Sequence, residues 1–449
     1  MKLCLIHPPI PFLNDRKVAP PLGILYIGAH LRNEMPEVET TILDQNLLDD
    51  ISVEACVEQV LSVDADVYGL SYGTTQYEYV VTISKAIKKA HPKAIILHGG
   101  AHADALPAET LIDSGGDIVM ASEGEISMLE LMRTLDSGGD ISEVLGLYYM
   151  EDGKLKFTGD RPLIRNLDDI PLPARDLVDM SEYTRTINGV AATPIITARG
   201  CPGKCIFCSQ KMWRNRVRFR SVENIVAEID EIYEKYDIRN ILFLDDTLTA
   251  SKKRMMALCK ELKARKIQWR GWTRANSMDQ ELADTMADAG CLALCIGVES
   301  GSQTMLDTMK KQTSVDANAR AIAEIKKSGM YARASLLIGT PGETWDTINE
   351  TVDFVLETRP DDWILSVFVP VPGSEAYTDP DKFEMKIFDD RDRVDFFKDF
   401  FVVGGIMESG SVMEYKTLSN VEIQKMRDYM FDRLTAECPP KLYTPKGIQ

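Results

Sequence analysis

Short apolar runs alternate with amphipathic stretches along residues 1–135. Five of these runs have the length of buried strands, and each is followed by Gly, Pro, Ser or acidic residues. This alternation predicts an α/β domain of the doubly wound, Rossmann-like class, in which helices cover both faces of a parallel sheet. The predicted strands are Leu3–Ile6, Thr40–Leu43, Val67–Ser71, Ile95–His98 and Ile118–Met120.

The alternation resumes near residue 190 with longer units. Six strand–helix units predict a partial (β/α)6 barrel similar to a TIM barrel, whose reactive face is formed by the carboxyl ends of the strands. Ser221 is predicted to cap a helix whose apolar positions recur at spacings of three and four. The predicted strands are Ile195–Thr197, Asn240–Leu244, Gln268–Thr273, Leu292–Val298, Ala334–Ile338 and Ile364–Val369.

Two further segments complete the expected organisation. Residues 136–189 contain a hairpin-like pattern and prolines. Pro171 and Pro173 restrict themselves and the residues before them to extended conformations, which predicts a stiff linker. Residues 379–449 are acidic and then helical, and we expect them to form a mostly helical region that closes over the substrate. The expected division is therefore 1–135, 136–189, 190–378 and 379–449.

Loops rich in glycine and polar residues follow three predicted strands of the first domain. In open α/β sheets, ligands bind at these carboxyl ends. No G-x-G-x-x-G follows the first strand, so dinucleotide binding has little support. The loops are Ser71-Tyr72-Gly73-Thr74, Gly99-Gly100 and Glu123-Gly124-Glu125.

Charge and hydropathy narrow the class of protein. Lys and Arg total 51 against 69 Asp and Glu, and a net charge of -18 disfavours a dedicated nucleic-acid binder. No apolar run approaches the ~20 residues of a membrane span, and the first apolar run is too short for a signal peptide, so we expect a cytoplasmic protein. One basic cluster is either a solvated loop or a site for an anionic substrate or reductant. It comprises Lys211, Arg214, Arg216, Arg218 and Arg220.

The cysteines supply the candidate chemistry. Cys201, Cys205 and Cys208 form a C-x3-C-x2-C motif, and three soft ligands this close suit an Fe–S cube or zinc. Structural zinc normally needs four protein ligands. All five histidines lie in the first domain, which leaves four other barrel or C-terminal cysteines to complete such a site: Cys259, Cys291, Cys295 and Cys438. Because Cys291 and Cys295 lie in or beside an apolar strand, we expect them to be core residues.

The segment from Arg199 to Cys208 resembles the signature of the radical S-adenosylmethionine (SAM) superfamily. The resemblance implies a [4Fe-4S] cluster on the three thiolates, with SAM chelating the open iron and being cleaved to a 5'-deoxyadenosyl radical. It also implies SAM-binding positions at successive strand ends, including an "IGxPGET"-like adenine loop. These are Phe207 at the adenine, Asp245 and Asp246 facing the amino group, Arg274 for the carboxylate, Glu299 and Ser300 for the ribose or amino group, and Ile338, Gly339 and Glu343.

The first domain resembles the cobalamin (B12)-binding domain found in front of many radical SAM enzymes. The segments that resemble this domain include Pro20-Pro21-Leu22-Gly23 and Gly99-Gly100-Ala101-His102. Where classical cobalamin proteins read D-x-H-x-x-G, this chain places Asn46, which excludes a histidine ligand from that position. The cobalamin residues implied are Asn46, Ser71, Tyr72, Gly73, Thr74, Gly99, Gly100, Glu123 and Gly124.

Two interpretations of this domain stay open. Either cobalamin binds without a strong lower ligand and carries a methyl group, or the domain keeps only the fold and serves as a substrate lid or interaction surface. His102 is either a contact near the cofactor or an ordinary hydrogen-bonding group. Tyr183, Trp213 and Trp363 are either pocket-lining or core aromatics.

The leading functional hypothesis is methylation of an unactivated carbon. The alternative is radical cyclisation or rearrangement, as in the anaerobic ring-forming relatives of this architecture, and a non-catalytic Fe–S or zinc protein is a third possibility. A methylthiotransferase is disfavoured, because only Cys4 and Cys56 lie in the first domain, where those enzymes carry a second cysteine triad. The expected partners are a small-molecule or peptide substrate and an electron donor such as flavodoxin or ferredoxin.

Overall fold

The computed structural model describes residues 1–13, 15–209, 211–387, 397, 413–416 and 418–441. Two seven-stranded sheets organise these residues, one in each half of the chain. The predicted α/β class, with a doubly wound sheet in the first half of the chain and a partial barrel in the second, is confirmed.

The first sheet has the doubly wound order β2-β1-β3-β4-β5, with all five strands parallel. Leu3 and Leu5 pack toward one face, while Cys4 and Ile6 pack toward the other, as the period of two requires. The strands are β1 Lys2–His7, β2 Glu39–Asp44, β3 Val67–Ser71, β4 Ile95–Gly99 and β5 Ile118–Met120, and the helices are α1 Leu22–Glu34, α2 Val53–Leu61, α3 Tyr77–Ala90, α4 Ala101–Ala105, α5 Pro107–Ser114 and α6 Gly124–Ser137.

Two antiparallel strands extend this sheet beyond β5. They are β6 Leu147–Glu151 and β7 Lys154–Phe157, joined by a tight turn at Asp152 and Gly153. Both strands lie inside the segment predicted as a linker, so its first part belongs to the sheet.

The second sheet has the order β16-β15-β14-β13-β12-β9-β8, and its six strands from β16 to β9 are parallel. This confirms the partial barrel. Ser221 caps α7 as predicted, since its Oγ accepts a hydrogen bond from Asn224 N at 3.0 Å. The strands of this sheet are β8 Thr186–Ile187, β9 Val190–Ile195, β12 Asn240–Phe243, β13 Trp269–Thr273, β14 Cys291–Glu299, β15 Tyr331–Ile338 and β16 Asp362–Val367. A separate antiparallel pair is formed by β10 Ala198–Arg199 and β11 Arg218–Phe219. The helices are α7 Val222–Tyr236, α8 Lys252–Arg265, α9 Gln280–Asp288, α10 Gln303–Thr308, α11 Val315–Lys327, α12 Trp345–Thr358 and α13 Glu375–Thr378.

The first barrel strand is displaced from its predicted position. It ends at Ile195, where the predicted strand begins. Beyond that point, the backbone amides of Thr197 and Ala198 donate to the Asp245 carboxylate, at 2.6 and 2.9 Å. The chain therefore leaves the sheet here, because a buried carboxylate from the next strand end takes its donors.

The C-terminal part is helical as predicted. Strands β17 Met385–Ile387 and β18 Met413–Tyr415 form a small antiparallel pair, and α14 Asn420–Glu437 packs against α12. The predicted C-terminal region also includes residues 388–396, 398–412, 417 and 442–449, which lie outside the described residues. Within the described ranges, no helix is both long and apolar enough to cross a bilayer.

Candidate functional site

The cysteine motif lies on the loop that follows β10. Gly200 begins this loop with φ +92°, and a Cβ at this position would lie 2.0 Å from the carbonyl oxygen of Arg216, so only glycine fits. Cys201 and Cys205 are buried and Cys208 is partly exposed. Cys201 Sγ lies 3.4 Å from the Gly203 amide and 3.3 Å from Thr247 Oγ1. The Gly203 amide, which donates to Cys201 Sγ, would stabilise a thiolate.

The three thiols of the cysteine loop are donors that suit an iron–sulfur cube. Across the part of the chain that the structure describes, no three His, Cys, Asp or Glu side chains are grouped as ligands of one metal ion. A cube attaches each thiolate to a different iron, so its three cysteines need not converge on one point. Burial raises the pKa of Cys259 to about 12 and that of Cys295 to about 11, which makes both poor candidates for a fourth thiolate ligand.

Four side chains connect the cysteine loop to the predicted SAM positions. Arg274 Nη1 lies 3.7 Å from Cys205 Sγ, and its Nη2 donates to the carbonyl of Lys311. Lys311 Nζ in turn donates to Glu299 Oε1 at 2.5 Å and lies 6.0 Å from the centre of the Phe207 ring. The structure therefore brings Phe207, Arg274 and Glu299 together, as the sequence predicted.

Lys311 belongs to this group, although sequence reasoning missed it. It is only 5% exposed, and lysine is almost never buried unless it is paired. In the sequence it follows another lysine on a polar stretch, where it resembles a solvated charge. Its role emerges only from its contact with Glu299.

Asp245 and Asp246 lie side by side but have different surroundings. Asp245 is buried, and its carboxylate accepts from Thr197 and Ala198 at the start of the cysteine loop. Burial raises its pKa, although these hydrogen bonds oppose the shift. Asp246 is exposed and lines the space between the two domains. Asp245 thus holds the loop, and only Asp246 has a carboxylate open to a ligand.

The remaining predicted SAM residues lie in or beside β14 and β15. Ser300 Oγ bonds to Thr351 Oγ1 at 2.9 Å, so this hydroxyl is directed into the protein. Ile338 is buried at the end of β15. Glu343 accepts from the amide of Gly339 at 3.2 Å, and burial raises its pKa to about 7. These contacts shape the loop from within.

The carboxyl ends of the first sheet face two adjoining cavities between the domains. The inner cavity, of about 280 Å³, is lined by Leu5, Gly99 and Glu125 together with Arg199 and Asp246 of the barrel. The outer cavity, of about 400 Å³, is lined by residues that include His7, Asn46 and Gln76. All the predicted cobalamin residues except Thr74 line one or both, namely Asn46, Ser71, Tyr72, Gly73, Gly99, Gly100, Glu123 and Gly124.

These cavities have the space and polarity that a large cofactor requires. A Cβ at Gly23 or Gly99 would meet no heavy atom within 4 Å, so both glycines leave the cavity open. Gly100 has φ +91°, and a Cβ there would lie 2.4 Å from Tyr72 O, so its lack of a side chain is required by the backbone. Glu125 Oε2 is buried without a hydrogen-bond partner among the described residues, which offers an acceptor beside the inner cavity.

A buried network of ion pairs joins the two domains beside the inner cavity. Arg199 donates to Glu123 Oε1 at 2.7 Å and to Glu125 Oε1 at 2.5 Å, and Arg218 donates to Glu123 Oε2 at 2.6 Å. All four side chains are at least nine-tenths buried. Glu123, predicted as a cobalamin residue, is therefore an interdomain anchor as well as part of the cavity wall.

Most side chains of the predicted basic cluster make ion pairs or hydrogen bonds within the protein. Arg220 is buried and pairs with Glu228, and Arg214 pairs with Asp160 at 2.9 Å. Lys211 donates to the backbone of Asp104, in the first domain. The cluster therefore serves largely to dock the two domains. Most of its charges are already paired, so few remain to bind an anionic ligand.

Two of the predicted cobalamin residues, Asn46 and Thr74, already make hydrogen bonds within the first domain. Asn46 Oδ1 accepts from Ile10 N at 2.9 Å. Thr74 Oγ1 lies 3.2 Å from His102 Nδ1, and the His102 ring packs 4.3 Å from Tyr77 and 4.7 Å from Phe397 between ring centres. His102 is buried and does not line either cavity, which favours its interpretation as an ordinary hydrogen-bonding group.

The three aromatic candidates fall in different places. Trp213 lines the inner cavity. Tyr183 donates its hydroxyl to Asp44 Oδ2 at 2.8 Å, and Trp363 donates Nε1 to the Cys438 carbonyl at 2.9 Å. Only Trp213 is a pocket residue.

Sequence and structure comparisons place this geometry among known proteins. The profile of the radical SAM superfamily matches residues 195–355, and that of the B12 binding domain matches residues 12–132. The chain is 31% identical to an uncharacterized methyltransferase of Pyrococcus horikoshii, over 84% of this chain and 82% of that protein. It is 28% identical to the anaerobic magnesium-protoporphyrin IX monomethyl ester cyclase of Rubrivivax gelatinosus, over 87% and 72% of the two chains.

Two solved structures share the fold. The radical SAM methyltransferase TsrM of Kitasatospora setae, with cobalamin and a [4Fe-4S] cluster bound, aligns with a TM-score of 0.71 at 17% identity, covering 86% of this chain and 80% of that one. The cobalamin-dependent radical enzyme OxsB, with aqua-cobalamin and SAM bound, aligns with a TM-score of 0.69 at 20% identity, and the match covers 85% of this chain but 56% of that one.

Proposed function

The chain belongs to the radical SAM superfamily and carries a B12 binding domain ahead of its catalytic barrel, and from this membership we propose that it methylates an unactivated carbon. The observation that carries the proposal is the inner cavity. The strand ends of the first sheet and the strand ends beside the cysteine loop line the same space. A methyl carrier and a radical source held by the two domains would thus face a common substrate.

We propose that the described residues hold three cofactors. Cys201, Cys205 and Cys208 would bind the cluster, the group formed by Phe207, Arg274, Glu299 and Lys311 would bind SAM, and the inner and outer cavities would hold cobalamin. When bound, the cluster supplies the electron that cleaves SAM to methionine and a 5'-deoxyadenosyl radical, and cobalamin supplies a methyl carrier.

The charged residues proposed to bind SAM suit the ammonium and carboxylate groups of its methionine part. Glu299 offers a carboxylate to an ammonium group, and Arg274 offers a planar guanidinium to a carboxylate. Lys311 neutralises Glu299, which keeps a buried carboxylate from standing unpaired. The donor hydrogens of Arg274 also lie near Cys205 Sγ, where they would favour the thiolate.

Asp245 has a positioning role in this proposal. Its carboxylate fixes two amides at the start of the cysteine loop, and Thr197 Oγ1 also donates to it. Asp246 remains the residue of this pair that would meet a ligand. No histidine is needed at the first step, because abstraction of a hydrogen atom uses neither acid nor base.

A second candidate function has one specific support. The cyclase of Rubrivivax gelatinosus is similar over most of this chain, so ring formation or rearrangement on the same radical chemistry is the alternative. The two functions differ in products, since only a methyltransferase turns SAM into S-adenosylhomocysteine.

The substrate and partners follow from the same architecture. We propose a small-molecule or peptide substrate bound between the barrel, residues 190–378, and the C-terminal region, residues 379–449. The first domain, residues 1–135, would hold cobalamin, and residues 136–189 would join the two. An electron donor such as flavodoxin or ferredoxin would reduce the cluster.

An anaerobic reconstitution tests the proposal. The protein is loaded with iron, sulfide and hydroxocobalamin, and its spectrum and its dithionite-dependent cleavage of SAM are recorded. Stoichiometric corrinoid together with 5'-deoxyadenosine and S-adenosylhomocysteine supports a cobalamin-dependent methyltransferase. Deoxyadenosine without S-adenosylhomocysteine favours cyclisation or rearrangement, and no SAM cleavage contradicts both.

A further inference from the structure

His7 and Asp44 form a hydrogen-bonded pair at the mouth of the outer cavity. They are the last residues of β1 and β2 and lie opposite each other in the register of these parallel strands. His7 Nδ1 lies 3.1 Å from Asp44 Oδ1. The Asp44 side chain is completely buried, and the Tyr183 hydroxyl donates to its Oδ2 at 2.8 Å. The carboxylate is therefore fixed in one orientation.

The pair selects one tautomer of the imidazole. Asn46 Nδ2 lies 3.0 Å from His7 Nδ1, but it also lies 2.9 Å from Asp44 Oδ1 and donates there. A donor hydrogen on Nδ1 directed at a carboxylate makes a charge-assisted bond, which is stronger than a bond from a neutral amide to a neutral ring. The proton therefore resides on Nδ1, and Nε2 keeps its lone pair.

Nε2 of His7 makes no hydrogen bond to any residue that the structure describes. The His7 side chain is 21% exposed. Asp44 and Asn46 enclose the Nδ1 edge of the ring, so the exposed edge is the one that carries Nε2. The outer cavity is lined by apolar side chains such as Ile10, Leu13 and Val18, together with polar ones. Among the polar ones, Arg16, Asn46 and Gln76 donate to Leu48 O, Asp44 Oδ1 and Pro8 O. The natural partner of Nε2 is thus a group that enters the cavity.

A single imidazole nitrogen can serve as the protein ligand only for a metal whose other ligands come from elsewhere. A bare ion needs several protein ligands, and within the described residues no third His, Cys, Asp or Glu joins His7 and Asp44 in such a group. A metal that arrives already held by a macrocycle needs a single axial donor. Metal-bound histidines typically donate their other ring N–H to a carboxylate, which is the arrangement that Asp44 provides.

We infer that His7 Nε2 would bind the cobalt of cobalamin, with Asp44, held by Tyr183, as the positioning residue behind it. The inference rests on the proposed cobalamin function. Asn46 stands where classical cobalamin proteins have the ligand histidine. In this chain the histidine would come from the end of a different strand, β1. Asn46 contributes by donating to Asp44 and by accepting from Ile10 N.

Electron paramagnetic resonance of the cob(II)alamin-loaded full chain tests this. One axial nitrogen splits the cobalt lines into triplets when it is 14N and into doublets when it is 15N. With 15N-histidine incorporated and unlabelled cobalamin added, we expect doublets. His7→Gln should lose the splitting while it retains corrinoid, and the matched control His91→Gln, at the end of α3 and away from both cavities, should keep it.

Each other outcome overturns the inference in a distinguishable way. Triplets that ignore the label assign the nitrogen to the base of the cofactor itself. Retained corrinoid without splitting shows that no nitrogen binds, and it leaves the proposed function intact. A chain that retains no corrinoid removes the proposed cobalamin function as well.

A second variant keeps the test decisive if His7→Gln fails to fold. Asp44→Asn preserves the ring but removes the charge behind it. We expect this variant to show a partial return to the unsplit spectrum. A fully split spectrum would show that Asp44 does not position the ligand.

Discussion

Lys311 Nζ lies 2.5 Å from Glu299 Oε1, and both side chains are almost completely buried. Lys311 also carries the carbonyl to which Arg274 donates, and its ammonium lies near the ring of Phe207. One buried cation therefore connects the strand end of β14 to the cysteine loop. Substitution of either residue of this pair should lower the free energy of unfolding and weaken SAM binding.

Replacing Lys311 by Met should destabilise the protein by about 3 to 5 kcal/mol, because Glu299 is left as an unpaired buried carboxylate. Urea denaturation of the cluster-loaded protein measures the free energy of unfolding. The control is Lys310→Met, whose half-exposed partner is Glu375 and whose loss should cost less than about 1 kcal/mol. Equal effects of the two substitutions would contradict the assignment of a buried pair.

Glu299→Gln should weaken SAM binding by about 1 to 3 kcal/mol, the usual cost of a lost charged hydrogen bond. Isothermal titration with SAM measures the affinity, and the visible absorbance of the cluster should be unchanged. An unaltered affinity would remove Glu299 from the SAM site.

Cys205→Ala should abolish cluster absorbance and SAM cleavage together, because two remaining thiolates cannot hold the cube with one open iron. Cys259→Ala is the matched control, since that thiol is also buried but lies on α8. It should keep both properties. Retained SAM cleavage in Cys205→Ala would overturn the cluster assignment.

Arg199→Met should cost about 3 to 5 kcal/mol, because it strips two buried carboxylates, Glu123 and Glu125, of their shared partner. Arg214→Met, which removes an exposed pair with Asp160, should change the free energy of unfolding by less than about 1 kcal/mol. The interdomain position of Arg199 also predicts faster proteolysis within residues 136–189. An unchanged cleavage rate would argue that the pairs do not hold the domains together.

Glu343 predicts a specific dependence of stability on pH. Burial raises its pKa to about 7 in the folded protein, so the unfolded chain releases this proton at lower pH. The folded state is therefore favoured in acid and loses about 1.4 kcal/mol for each pH unit between roughly 5 and 7. The difference in free energy of unfolding between the wild type and Glu343→Gln, measured across this range, isolates the effect from other groups. A constant difference would contradict the raised pKa.

The sequence predicted the five parallel strands of the first sheet to within one or two residues, because each is a short apolar run closed by a turn residue. It placed the first barrel strand, β9, too far along the chain, and the reason is a tertiary contact. Thr197 is as suitable for a strand as its neighbours, and only the distant Asp245 carboxylate removes it from the sheet. Propensity carries no information about that contact.

The candidate site was predicted where motifs coincide with strand ends and missed where distant segments meet. Phe207, Arg274 and Glu299 follow strands, and the fold brings their loops together. Lys311 lies on a stretch without a motif and gains its role from the buried Glu299 carboxylate, 12 residues before it. Tyr183 was a candidate aromatic, but its bond to Asp44, 139 residues away, could not be predicted. Such partners are fixed by packing and leave no local pattern.

The position of Arg199 also sets an order of events during biogenesis. It stands two residues before Cys201, and both of its partners belong to the first domain. Until that domain has folded and docked, the guanidinium has no carboxylates and the cysteine loop lacks one of its anchors. Because the first domain leaves the ribosome first, its anchor is ready when the cysteines emerge. Insertion of iron and sulfide would therefore depend on the folding of the first domain, because that domain holds one anchor of the cysteine loop.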